Sequence, residues 1–151
     1  MFEKQLIAGW GDMDLNSHMR NTAFLDKSAD VRMMFFVEHG FPMGEFVRQQ
    51  IGPVIRKDEI EYFREIRLLE GFRVTLALAG LSADGSRFIL RNEFWRAGEQ
   101  LAATVTSAGG WLDLSVRKLV APPDGLLTAL RSLPETADYQ ALPSSVRPVD
   151  G

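Results

Sequence analysis

The sequence predicts an α+β domain in which one long helix packs against an antiparallel sheet. Three observations carry this. A single stretch, Asn21–His39, has no Gly or Pro and repeats Phe24, Ser28, Val31 and Phe35 at helical spacing, with Ala23 and Met34 beside them. From Phe72 to Trp111 the residues alternate with a two-residue period, broken by turn signals at Asp84-Gly85 and Gly98. The 151 residues include no cysteine and are 46% apolar, so the core forms without disulfides, which this length permits.

Taken in order, Phe2–Trp10 reads as a short strand that ends in the tight turn Gly9-Trp10-Gly11. Asn21 is the expected N-cap of the long helix, and Gly40 with Pro42 stops it. A loop follows around Gly52-Pro53. Val54–Leu69 is long for one strand and its alternation slips, which predicts a bend or bulge. Phe72, Val74, Leu76 and Leu78 alternate with Arg73, Thr75, Ala77 and Ala79, and Arg87–Trp95 returns beside them. In the last strand Leu101, Ala103, Val105, Ser107, Gly109 and Trp111 share one face, and Gly109-Gly110 predicts a bulge or a close backbone approach. Pro122-Pro123 ends the sheet, and Asp124 is expected to cap a short helix through Leu130. The domain is therefore drawn as 1–133, with 134–151, which contains Pro134, Pro143 and Pro148, as a loosely held tail. One helix covers one face of such a sheet, so the exposed strand edges call for a second copy of the chain.

Composition narrows the function. A formal net charge of −3 offers no broad attraction to nucleic acid or to anionic membranes. No apolar run approaches the ~20 residues of a membrane helix, and acidic residues sit at positions 3 and 12, unlike a secretory leader. The expectation is a soluble cytoplasmic protein. With no cysteine and only His18 and His39, thiolate chemistry is excluded and no metal site is expected.

The densest polar cluster is Gly11-Asp12-Met13-Asp14-Leu15-Asn16-Ser17-His18-Met19-Arg20-Asn21, between the first strand and the helix. Its Asp, Asn and Ser residues make turns and caps in many proteins. Together with a helix N-terminus they also suit chemistry on a carbonyl. The unpaired N–H groups of a first helical turn stabilise an oxygen that gains negative charge, and an ionised carboxylate beside them serves as nucleophile or as general base for water. A thioester suits so modest a nucleophile, because its carbonyl is poorly resonance-stabilised and its thiolate departs readily.

The run Trp10-Gly11-Asp12-Met13-Asp14, followed by His18, Asn21 and an aromatic residue at Phe24, resembles the signature of hotdog-fold acyl-CoA thioesterases of the 4-hydroxybenzoyl-CoA thioesterase family. Those proteins carry D-x-D-x-x-G-H-x-N-N-x-x-Y before their central helix. The likeness extends through Ile60-Glu61-Tyr62-Phe63-Arg64 and through Asp113 with Arg117-Lys118, covering residues 5–130. It implies a hotdog fold, an antiparallel sheet wrapped around one central helix, assembled as a homodimer or homotetramer. It further implies hydrolysis of an acyl-CoA or acyl carrier protein thioester, with no cofactor beyond the coenzyme A of the substrate. Asp14 would be the catalytic carboxylate, the Asn21 amide would polarise the carbonyl, and His18 would support the loop or the substrate. The acyl chain would lie along the helix among Met19, Phe24 and Tyr62. Ser17 stands where the family has Gly, Arg20 where it often has Asn, and Phe24 where it has Tyr. These departures support a second reading, a hotdog protein that binds an acyl thioester or a protein partner without turning it over.

Other motifs carry less. Asp12, Asp14 and Asn16 imitate the start of a calcium loop, but Ser17 and Ala23 stand where that loop needs Gly and Glu. No serine-hydrolase elbow or dinucleotide fingerprint is present. Arg64, Arg91, Arg117 and Lys118 are candidates for the phosphates of coenzyme A. Glu59, Glu61 and Glu65 read as a solvated strand face, with one of them near the pocket as the alternative.

Overall fold

The computed structural model describes residues 1–146. Seven strands form one sheet: β1 (Phe2–Ile7), β2 (Ile51–Tyr62), β3 (Gly71–Ser82), β4 (Arg87–Arg96), β5 (Gln100–Asp113), β6 (Lys118–Val120) and β7 (Glu135–Leu142). Its order is β1-β3-β4-β5-β2, with β6 added to β5 and β7 to β3. The long helix α1 (Asn21–Glu38) lies against β1, β3 and β5, the hotdog arrangement that the resemblance implies. Two shorter helices are α2 (Met43–Gln49) and α3 (Asp124–Ser132). No helix of the described residues is long and apolar enough to cross a membrane.

The buried face of α1 holds Ala23, Phe24, Ser28, Val31, Phe35 and Phe36, so the predicted stripe is the stripe that packs. Met34, expected beside it, is only half-buried. Arg32 is also on the buried face. Its Nη1 has no hydrogen-bond partner among the described residues, and burial holds the guanidinium below its ordinary pKa against the opposing effect of Asp58. The helix ends in a Schellman arrangement: Phe41 N–H donates to Phe36 O, Gly40 N–H donates to Val37 O, and Gly40 takes φ +88°. Phe36 and Phe41 both join the core, which ties the helix stop to packing.

The core has two parts. One gathers Phe35, Phe36, Phe46, Phe88, Trp111 and Leu126 at the C-terminal end of α1. The other gathers Met19, Phe24, Val31, Ile66, Phe72 and Phe94 near its N-terminal end. Each large side chain so buried contributes roughly 1.5–3 kcal/mol.

Several expectations are corrected. The N-cap of α1 is Arg20 and that of α3 is Pro123, so Asn21 and Asp124 are first helical residues rather than caps. The region expected as a loop contains α2, and Gly52-Pro53 lie inside β2. Proline is tolerated there because β2 is an edge strand. The expected bulge exists, with the register against β5 shifting between Ile55 and Lys57, but the strand ends at Tyr62 rather than Leu69. A second shift, between Phe94 and Trp95 opposite β5, buries Ala102 beside Ala103 and takes Leu101 out of the predicted face. The segment drawn as a loose tail contains β7, which runs parallel to the part of β3 that β1 leaves unpaired; residues 147–151 of that segment lie outside the described residues.

The close approach at Gly109-Gly110 is tight. A Cβ at Gly109 would stand 2.1 Å from Val54 O, and one at Gly110 would stand 2.6 Å from Ser86 O. Gly109→Ala should therefore cost about 3 kcal/mol or more by forcing β2 away from β5. Gly44→Ala, whose Cβ meets nothing within 4 Å, should be neutral or stabilising by up to about 1 kcal/mol. Urea unfolding of the two variants checks the contrast.

Candidate active site

Between β1 and α1 the chain makes a short 3-10 turn at Trp10–Asp12 and then a closed loop. Asp12 Oδ2 accepts from Gly9 N–H at 2.9 Å and lies 3.5 Å from Lys27 Nζ, so this carboxylate serves the turn. Asp14 closes the loop with both backbone and side chain. Its N–H donates to His18 O at 2.8 Å, while its Oδ1 accepts from Asn16 N–H at 2.9 Å and from His18 N–H at 3.1 Å. Those two N–H groups, His18 first, hold the Asp14 carboxyl below the usual carboxylate range. Both bonds fall on Oδ1, and among the described residues Oδ2 takes none.

The loop is fastened from outside. Met19 N–H donates to Ile66 O at 2.7 Å, Leu68 N–H donates to Ser17 O at 3.2 Å, and His18 forms a bridge with Arg67. Ser17 sits at φ +58°, the conformation for which glycine is the usual choice. Arg20 then opens α1 without a side-chain cap. The N–H of Asn21, first in the helix, points to no acceptor among the described residues, as first-turn donors do unless capped.

A cleft of ≈ 300 Å³ opens here, lined by Asp14, Asn16, His18, Met19, Asn21, Phe24, Tyr62, Phe63, Arg64 and Glu65. Phe24 is 3% exposed and forms the floor, edge-on to Tyr62 and Phe94 with centroids 5.5 and 5.2 Å away. Tyr62 Oη donates to Asn21 O at 3.2 Å, which ties the end of β2 to the start of α1. His18 Nε2 lies 3.1 Å from Glu65 Oε2.

The cleft thus brings together Asp14, Asn21, His18, Met19, Phe24, Tyr62 and Arg64. It does not include three other candidates. Arg91 lies in a groove beside β7, where Nη1 and Nη2 donate to Asp138 at 2.8 and 2.9 Å and Nε donates to Thr106 Oγ1 at 3.0 Å. Arg117 and Lys118 are at the β5–β6 turn, beside Asp113, whereas the cleft adjoins Ala103, about 30 Å away along β5. Sequence spacing also left Glu65 among three alternating glutamates. Only the departure of the chain from the sheet after Tyr62 turns it toward His18.

The family model described as Thioesterase-like superfamily matches residues 8–130. No curated protein sequence matches the chain. Among solved structures, a protein of Staphylococcus aureus in complex with CoA is similar at 21% identity, with 98% of this chain and 89% of that one covered and a TM-score of 0.80. A 1,4-dihydroxy-2-naphthoyl-CoA thioesterase from Synechocystis is similar at 18% identity, with 87% and 96% covered and a TM-score of 0.78. A probable thioesterase from Escherichia coli is similar at 20% identity, with 88% and 98% covered and a TM-score of 0.73. These likenesses show the fold.

Replacing Ser17 by glycine removes the left-handed strain without touching the Asp14 hydrogen bonds, which engage backbone and Asp14 atoms only. Ser17→Gly should stabilise the protein by roughly 0.5–1 kcal/mol, or about 1–4 °C in Tm, as measured by calorimetry.

Proposed function

The chain belongs to the thioesterase-like superfamily, and on that premise we propose that its cleft hydrolyses acyl-CoA or acyl carrier protein thioesters, with Asp14 as nucleophile or general base. The observation that supports this reading is that Asp14 and Asn21, whose N–H has no acceptor among the described residues, line one cleft. A thioester carbonyl oxygen at that N–H gains stabilisation as it becomes an oxyanion. Asp14 Oδ2 either adds to the carbonyl carbon or takes the proton of a water that adds. The chemistry runs on side chains and backbone of this chain and calls for no cofactor beyond the substrate's own coenzyme A. A cytoplasmic setting fits a substrate of this kind.

Phe24, Met19 and Tyr62 offer an apolar bed for the start of the acyl group, and Arg64, which makes no ion pair among the described residues, offers positive charge at the mouth. The outer edge of β2 has no partner strand among the described residues, and this supports a homodimer. Antiparallel pairing of two β2 edges about the bulge would set the Ile51 end of one copy beside the Tyr62 end of the other. The β5–β6 turn with Arg117 and Lys118 would then approach the neighbouring cleft, where two cations suit the phosphates of coenzyme A.

Asp14→Asn keeps an oxygen for the two loop N–H groups and removes the negative charge. Thiol release from a panel of short, medium, long and aromatic acyl-CoAs should fall about 10²–10⁴-fold with little change in Tm. Undiminished turnover would remove Asp14 from the mechanism, and ligand binding without thiol release by the wild type would favour the non-catalytic reading. Because the loop N–H groups hold the Asp14 carboxyl below its usual range, the active anion persists on acidification. The acidic limb of kcat/KM should therefore fall below about pH 4 rather than at it, as measured over the pH range in which the protein stays folded.

A further inference from the structure

Thioester hydrolysis must deliver a proton to the departing thiolate, and the residues lining the cleft differ in their capacity to do so. The Asp14 carboxyl is held in its ionised form by backbone N–H groups and has no proton to give. Arg64 does not give up its proton in proteins, and the Tyr62 hydroxyl is already donated to Asn21 O. This leaves the His18–Glu65 pair, with an imidazole that can carry a proton on either ring nitrogen. Its Nε2 faces the Glu65 carboxylate at 3.1 Å. Glu65 is itself well placed to hold a ring. Arg96 Nη1 donates to its backbone O at 2.9 Å, the adjoining Ile66 is fully buried and accepts from Met19 N–H, and Arg67 bridges to His18. The segment carrying the carboxylate is thus fixed to the loop that carries the imidazole and Asp14.

We propose that Glu65 is a positioning residue for His18, holding Nε2 so that Nδ1 supplies the proton to the leaving sulfur. The inference rests on thioester hydrolysis in this cleft. In the step, the acyl C–S bond breaks, its electron pair passes to sulfur, and sulfur takes the proton from Nδ1 of the imidazolium. The water that adds to the acyl carbon releases a proton that restores the imidazolium, so free acid and free thiol leave and His18 returns to its starting state. The Glu65 carboxylate orients the ring and takes no proton in the step, as the orienting carboxylate of a carboxylate–imidazole pair does. An exposed ion pair of this kind adds little to stability, so its loss is read in the chemistry rather than in the melting temperature.

The test compares one acyl group on two leaving groups, coenzyme A and an aryl thiol whose thiolate is much less basic and departs without protonation. Glu65→Gln should lower kcat about 10-fold on the CoA thioester and less than about 2-fold on the aryl thioester, while Glu65→Asp retains most of the wild-type rate. His18→Asn should show the same bias with a larger loss, about 100-fold on the CoA thioester, and it carries the test if Glu65→Gln melts early. Equal losses on both esters, or no loss on either, would overturn the proposal and leave the pair as a loop fastening. A wild-type protein inactive on both esters would instead overturn the hydrolase reading on which it stands.

Discussion

The site depends on the closure of a five-residue loop upon itself. Asp14 N–H donates to His18 O, and the Asp14 carboxylate accepts in return from the His18 and Asn16 N–H groups. A chain leaving β1 must reverse within a few residues to enter α1, and this closure makes the reversal while keeping Asp14 in one cleft with Asn21, the first residue of the helix. Ser17 accepts a left-handed conformation to complete it. The same bonds that shape the loop hold the Asp14 carboxyl below the usual carboxylate range.

The closure holds because it is anchored on the packed part of the molecule. Met19 is buried beside Phe24 and Ile66, and Phe24 continues through Phe94 to Phe72. The cleft is therefore a polar loop laid on an aromatic floor, and the floor is part of the core rather than a lining added to it. Tyr62 joins the two layers: its ring packs on Phe24 and its hydroxyl reaches Asn21 O. With Phe24 in the position where the resembled family carries Tyr, the phenolic hydroxyl at the helix start comes from β2.

Where a residue's environment is set by its near neighbours in sequence, it was legible in advance. The stripe of α1, the Gly40 stop, the alternation of β3 and the crowding at Gly109 all follow from periodicity or from the need for a missing side chain. Features that depend on a distant partner were not. The strand β7 exists because β1 pairs with only half of β3 and leaves ladder groups to satisfy, which nothing within residues 134–151 announces. Arg91 read as a free cation because its partner, Asp138, lies on that same strand.

The sequence alone therefore determined the long helix, the antiparallel sheet, and a loop in which Asp14, His18 and Asn21 stand close together, since short separations leave little freedom. Only the tertiary structure decided which distant groups meet them: it brought Glu65, Tyr62 and Arg64 to the cleft wall and carried Arg117 and Lys118 to the far end of β5. The reason is geometric. A strand's alternation tells which face a side chain occupies, whereas the bulges, the pairing order and the point at which a strand leaves the sheet decide what lies opposite, and those are fixed by pairing across the whole chain.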